Sequence, residues 1–236
     1  MDDLLTRTRM LIGDEKVALL QCKTVLVAGL GGVGGTALEC LARSGIEHFI
    51  LIDDDTVNPT NLNRQILYLS GDIGKSKTEV AYQRLKAINP AIEATLLSQR
   101  IYPESFDLLD GLTFDFVIDA IDSGPGKATL IEVALKHHVP LIISLGMAKR
   151  LNPQAVITTS LGKTHHDPLA KSLRNILRKK DINPEDIACV FSTEEALNRE
   201  WTPSSMMMVP SAAGLQLAAY ALKTLSEPTE SLKKEE

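Results

Sequence analysis

Apolar positions recur along the chain in two alternating periods. Continuous aliphatic and β-branched runs at Thr24 to Ala28, Phe49 to Ile52, Phe114 to Ala120 and Pro140 to Ser144 read as strands buried on both faces, the habit of parallel sheets. Between them, helical spacing covers Gly34 to Ser44, Lys75 to Ile88 and Lys127 to His138, the last two closed by Asn89-Pro90 and Val139-Pro140. Strand alternating with helix predicts an α/β fold with a doubly wound, mostly parallel sheet.

The two ends follow different patterns. Residues 1–23 carry a partly apolar face in Leu4, Leu5, Met10, Leu11 and Ile12, which predicts a helical arm ahead of the first core strand. Beyond about residue 150 the pieces shorten: a strand at Ala155 to Thr159, a helix from Pro168 to about Lys179 and a strand at Ala188 to Ser192. Met206 to Leu222 is uncharged, yet Pro210, Ser211, Gly214 and Gln216 interrupt it, so it reads as a short strand and a buried Ala-rich helix rather than a membrane span. Residues 226–236 are polar and read as a fraying tail. One domain is expected over 1–236: an arm (1–23), a first half (24–150), a second half (151–225) that forms a lid or substrate platform, and the tail.

Composition narrows the class. A hydrophobic content of 44% and a charged content of 23% exclude disordered and fibrous chains, and aromatics at 4% argue against an aromatic base-stacking surface. The three cysteines form no CxxC pair, so neither a zinc site nor a disulfide framework is expected, and a reducing cytoplasm fits. Cys22 and Cys40 read as packing residues, Cys189 as buried rather than reactive, and Met206 to Met208 as core or interface. Acid precedes any apolar run at the start, which is not the order of a secretory signal. The net charge of −5 hides an asymmetry: from Lys149 to Lys180 eight basic residues face a single acid, Asp167. That local balance of +7 suits a polyanion even on an acidic protein.

Chemistry concentrates after the first strand. Gly29-Leu-Gly31-Gly32-Val-Gly34 follows a strand and opens a helix, the context in which a Gly-x-Gly-x-x-Gly pattern is informative. Gly29 permits a tight turn, Gly31 lets backbone N–H groups approach a phosphate, and Gly34 lets the helix lie close to the strand, as in Rossmann-like folds. Asp53, ending the second strand, stands where a ribose hydroxyl is accepted. A nicotinamide dinucleotide would satisfy all of this. Arg64, a few residues on in Asn61-Leu-Asn-Arg-Gln65, and Lys77 at the next helix start suit instead the clamp that ATP needs on a leaving pyrophosphate.

Together with Asp119-Ala-Ile-Asp122-Ser123, these segments resemble the ubiquitin-activating-type adenylating family, whose bacterial members prepare carboxylates for sulfur or cyclisation chemistry. The resemblance implies Asp53 on ribose, Asn61 and Arg64 on phosphates, Lys77 at the transferring phosphate and Asp122 holding Mg²⁺. It also implies a homodimer in which Arg7 of the arm reaches the neighbouring subunit's site as an arginine finger.

The second half decides between subfamilies. It lacks the paired CxxC ligands usual in adenylyltransferases that activate the C-terminus of a ubiquitin-like sulfur carrier, the alternative reading. Gly146-Met-x-x-Arg150-Leu-Asn-Pro153, Lys163-Thr-x-x-Asp167-Pro-Leu-Ala-Lys171, Cys189-Val-Phe-Ser-Thr-Glu194 and Val209-Pro-Ser-x-x-Gly214 are similar to the tRNA threonylcarbamoyladenosine dehydratases, a likeness running from about residue 6 to 225. That family implies ATP-dependent ring closure on a modified adenosine beside the tRNA anticodon, through an acyl adenylate and without a protein nucleophile. The basic stretch then becomes a tRNA surface: Lys171, Arg174 and Arg178 share one face of the helix from Pro168, joined by Arg150 and Lys163. His165 and His166, with no third ligand at metal spacing, read as tRNA contacts or surface residues. A sulfur-relay partner associated with a desulfurase is implied by members with a cysteine before the last helix, but here that stretch reads Met208-Val-Pro-Ser211. Ala148 and Lys149 stand where the family often has Gly-Asn. No membrane partner is expected.

Overall fold

A computed structural model of the chain describes residues 3–197 and 204–227. Two short helices, α1 (Thr6–Ile12) and α2 (Asp14–Gln21), precede β1 (Thr24–Ala28), α3 (Gly32–Ser44) and β2 (His48–Ile52). Then come α4 (Lys77–Ile88), β3 (Glu93–Leu97), α5 (Phe106–Asp110), β4 (Phe116–Asp119), α6 (Gly124–Lys136) and β5 (Leu141–Ser144). The remainder holds β6 (Val156–Ser160), α7 (Pro168–Arg178), β7 (Ala188–Ser192) and α8 (Met208–Leu225). The strands form one seven-stranded sheet in the order β3-β2-β1-β4-β5-β7-β6, parallel except for β6, which runs against β7.

The pleat explains why the central strands read as unbroken apolar runs. Val25, Val27, Phe49, Leu51, Phe116 and Ile118 face a core closed by α3, α4 and α8, while Leu26, Ala28, Ile50, Ile52 and Val117 face one closed by α5, α6 and α7. With helices on both faces almost nothing of these central strands is left for solvent, so the usual two-residue alternation disappears.

Three features depart from the sequence reading. β3 was not expected: Glu93-Ala-Thr-Leu-Leu97 lies at the sheet edge, half exposed, where no continuous apolar run is needed. Among the described residues 204–207 leading into α8 there is no strand; Met206, Met207 and Met208 are exposed rather than core, and the helix accepts Pro210 in its first turn, where a missing N–H costs nothing. The second half is continuous with the first rather than attached to it. β7 and β6 extend the same sheet, and α8 returns to lie across α3 beside the glycine loop. Residues 228–236 of the expected tail lie outside the described residues.

The α3–α8 crossing needs a side chain of hydrogen alone at Gly214, since a Cβ there would sit 2.4 Å from the Val33 carbonyl oxygen and 2.7 Å from Thr36 Cβ. The Gly214→Ala variant is therefore expected to lose about 2–3 kcal/mol through overpacking. Its thermal midpoint should fall by roughly 4–12 °C, and a midpoint equal to the parent's would contradict the close crossing.

Candidate functional site

The strand order reverses between β1 and β4, so their connections leave in opposite directions and a crevice opens beyond their carboxyl ends. A cleft of about 370 Å³ occupies that fork. Its walls are the glycine loop, the ends of β2 and β3, the Asn61–Gln65 turn, Lys77, and the turn after β4.

Two glycines make the fork possible. Gly29 has φ +85°, and a Cβ on it would stand 2.6 Å from the Ala120 carbonyl oxygen; a Cβ on Gly34 would stand 1.8 Å from the Gly29 carbonyl oxygen. Gly34 thus sets how closely α3 approaches the loop and does not line the cleft, whereas Gly31 and Gly32 do. Gly31 meets nothing nearer than the Gln65 amide at 3.9 Å, which leaves its backbone open to a ligand at the α3 N-terminus.

Asp53 is bound into this loop. One carboxylate oxygen accepts the Leu30 N–H at 2.6 Å and the other accepts the Asp55 N–H at 2.9 Å. Burial nevertheless pushes its pKa up, opposed by the Lys77 ammonium and the two N–H donors. Lys77, itself buried, lies 2.6 Å from Asp55 Oδ2 and 3.9 Å from Asp53 Oδ1. Asn61 is buried as well; its side-chain oxygen accepts the Asn58 N–H at 2.9 Å, which fixes the turn carrying Arg64. The Arg64 guanidinium donates to the Thr60 carbonyl at 2.6 Å and to Asn63 Oδ1 at 3.0 Å. Asp122 is exposed at the opposite wall and makes no ion pair among the described residues.

The expected cationic pocket is not what the walls supply. Four carboxylates, Asp53, Asp54, Asp55 and Asp122, face three cations, Arg64, Lys77 and Arg100. Lys77 is already spent on Asp55, and the side-chain oxygens of Asp53, Asp54 and Asp55 lie within 4.8 Å of one another. A polyanion entering this cleft needs positive charge from elsewhere. A divalent cation fits the donor set, in which Asp54 and Asp122 are both exposed carboxylates without an ion pair among the described residues.

Arg7 does not reach the cleft of its own chain. It lines a separate groove with Leu11, Ile12, Leu20 and Leu222. Of the basic residues after 149, Lys163, Lys171 and Arg178 are exposed. Arg174 is half-buried and turns inward, donating to the Leu161 and Thr164 carbonyls and the Thr164 hydroxyl. Arg150 is removed from the expected surface altogether: its side chain is 4% exposed, and it donates to the Gly146, Ala148 and Glu194 carbonyls. It holds the loop after β5, and spacing along a chain cannot distinguish such an internal arginine from a surface one. His165 and His166 are exposed. Cys22 is exposed rather than packed, Cys40 partly covered, and burial pushes the Cys189 thiol up to about 12.

Sequence reasoning missed Arg100 and Gln99, which wall the cleft from the end of the unrecognised β3. It also missed Lys127, fully buried on α6 and 2.8 Å from Asp119 Oδ1. The signal for Lys127 was a lone cation on an otherwise apolar helical face.

Comparison with known proteins gives the family and the fold. The profile of the ThiF family matches residues 5–235. The tRNA threonylcarbamoyladenosine dehydratase of Bacillus subtilis (strain 168) is 35% identical, over 95% of each chain. Crystal structures of the E. coli tRNA N6-threonylcarbamoyladenosine dehydratase, in complex with AMP and with ATP, superpose with TM-scores of 0.89 and 0.88 at 33% identity, covering 97% of this chain and 95% of theirs. The E. coli sulfur carrier protein ThiS adenylyltransferase is 39% identical, but over only 50% of this chain and 47% of its own.

Asp53 yields a test that needs no ligand. Its folded pKa is raised above the ordinary 3.8, so the native state binds more protons than the unfolded state, and the ionised carboxylate subtracts stability as pH rises through that window. The difference in unfolding temperature between Asp53→Asn and the parent should move in the variant's favour between about pH 4 and pH 7. Movement the other way would mean that Lys77 and the two N–H donors outweigh burial.

Proposed function

The chain belongs to the ThiF family, and from that premise we propose that it is an ATP-dependent tRNA threonylcarbamoyladenosine dehydratase. The observation that carries this reading is identity and reach taken together: the Bacillus subtilis dehydratase is 35% identical over 95% of each chain, whereas the E. coli ThiS adenylyltransferase covers half of this chain and the Thermus thermophilus sulfur carrier protein adenylyltransferase, over 91% of it, is 28% identical.

The chemistry proceeds in two displacements. A carboxylate oxygen of the threonyl group attacks the α-phosphorus of ATP, and the bond to pyrophosphate breaks. The neighbouring carbamoyl group then closes on the acyl carbon, and AMP leaves carrying one of the original carboxylate oxygens. Atoms balance as loss of one water from the nucleoside. Ring closure within one residue has a high effective molarity, so no protein nucleophile is required.

Each wall of the cleft has a task in this scheme. Asp53 accepts the ribose hydroxyls, and the open backbone at Gly31 takes phosphate oxygens at the α3 N-terminus. Asn61 orders the turn from which Arg64 swings off Thr60 toward the phosphates, and Lys77 faces the phosphate being transferred. Asp122 would hold Mg²⁺, and a divalent charge there would offset the approach of carboxylate to triphosphate. The chain works as a homodimer, which is the arrangement that brings Arg7 to a site; Met10 and Leu11 on the same helix, 83% and 84% exposed, offer an apolar face for it. Lys163, Lys171 and Arg178 meet the tRNA backbone, while Arg174 and Arg150 shape the surface from within. A sulfur-relay partner would find no cysteine in the segment leading into α8, which reads Met206-Met-Met-Val-Pro-Ser211. Among the described residues no helix is long and apolar enough to cross a membrane, and a tRNA substrate implies a cytoplasmic protein.

Incubation with ATP, Mg²⁺ and tRNA bearing threonylcarbamoyladenosine, followed by mass spectrometry of the nucleosides, should yield a product lighter by one water. Arg64→Ala should lower the rate by about 10²–10³-fold, the scale of one lost transition-state donor. An unchanged nucleoside, with adenylation of a ubiquitin-like carrier tail instead, would favour the sulfur-carrier reading.

A further inference from the structure

The turn that carries Asp122 is short, exposed at its tip and anchored at its base by a fully buried ion pair. Lys127 Nζ lies 2.8 Å from Asp119 Oδ1, with both side chains at 0% exposure, and donates also to the Asp119 carbonyl at 3.4 Å. The same Asp119 oxygen accepts the Ile121 N–H at 3.1 Å. Asp119 is therefore gripped from α6 on one side and grips the turn on the other. The next peptide is fixed by the Ala120 N–H bond to the Ala28 carbonyl at 2.8 Å. On the far side of the turn, Ser123 Oγ accepts the Gly126 N–H at 3.3 Å and the Ser123 carbonyl accepts the Lys127 N–H at 2.9 Å. Asp122 is left as the exposed residue between two pinned neighbours.

Stability alone does not call for such a pair. Two well-packed apolar side chains of equal volume do as well or better, because the desolvation of both charges consumes the attraction between them. Asp119 moreover keeps its second oxygen, Oδ2, without any hydrogen-bond partner. A costly interaction placed three residues from a carboxylate at the cleft wall points to a positional role. We propose that Lys127 is a positioning residue: acting through Asp119, it fixes the 120–122 turn and thereby the direction in which Asp122 presents its carboxylate to a divalent cation. The inference rests on the reading of Asp122 as the metal-holding residue. Groups of this kind behind a metal ligand govern metal affinity by about 10–100-fold.

The test separates the inference from the reading beneath it. Binding of Mn²⁺ is measured by electron paramagnetic resonance in the presence of a non-hydrolysable ATP analogue, and affinity for the analogue is measured separately without metal. Lys127→Met leaves a buried unpaired carboxylate and is liable to unfold, so Asp119→Asn/Lys127→Met, which removes both charges, is measured beside it, with circular dichroism as the check on folding. The expected result is a folded double variant whose Mn²⁺ affinity falls by about 10–100-fold while its metal-free nucleotide affinity is unchanged. Parent-like Mn²⁺ affinity, or an equal loss of metal-free nucleotide binding, overturns the positional role. Asp122→Asn serves as the control: if it binds Mn²⁺ as the parent does, the metal-holding reading itself falls, and the inference with it.

Discussion

Everything in this protein is arranged around the approach of backbone to backbone at the fork between β1 and β4. Gly29, Gly34 and Ala120 meet so closely that no β-carbon fits at either glycine. That contact brings the N-terminus of α3 to the mouth of the sheet and brings Asp53 from β2 within 2.6 Å of the Leu30 N–H. It also lays the Asp119–Asp122 turn across the glycine loop. Widening the fork by one methyl group would separate the phosphate-facing backbone from the carboxylates that flank it. The α3–α8 crossing at Gly214 is a second close approach on the same helix, made by a neighbour that packs against the same face of the sheet.

Charge follows from that geometry in an unexpected way. An acid group displacing pyrophosphate brings several negative charges together, yet the cleft itself holds more carboxylates than cations. Lys77 is tied to Asp55 and Arg64 to the Thr60 carbonyl. Two of the three cleft cations thus have partners within the protein, and a triphosphate must exchange those partners for its own oxygens. The remaining positive charge enters with Mg²⁺ and with Arg7 of a second copy under the proposed function. Burial raises the pKa of Asp53 for the same reason, as the site accepts some instability in return for a polar group held ready for ligand.

Much of this was legible in the sequence. Strands buried on both faces announce themselves by unbroken apolar runs, and a glycine pattern between strand and helix announces a phosphate-facing loop. Residues whose role depends on a partner that only the packing of elements brings near were not legible. β3 hides because an edge strand needs no apolar continuity, and with it went Arg100 and Gln99. Arg150 and Lys163 are both cations in one basic stretch, but only the fold sends the first inward to three carbonyls and leaves the second in solvent. Lys127 is the sharpest case, since its partner Asp119 lies on a strand and their ion pair exists only once α6 packs on the sheet.

The central claim is that a carboxylate oxygen attacks the α-phosphorus in this cleft, and oxygen labelling tests it most directly. tRNA whose threonylcarbamoyl carboxylate carries ¹⁸O is incubated with the protein, Mg²⁺ and unlabelled ATP. The account predicts AMP and pyrophosphate in equal amounts, with one ¹⁸O in the AMP phosphate and none in pyrophosphate. Release of ADP with label in inorganic phosphate would place the attack at the γ-phosphorus and contradict it.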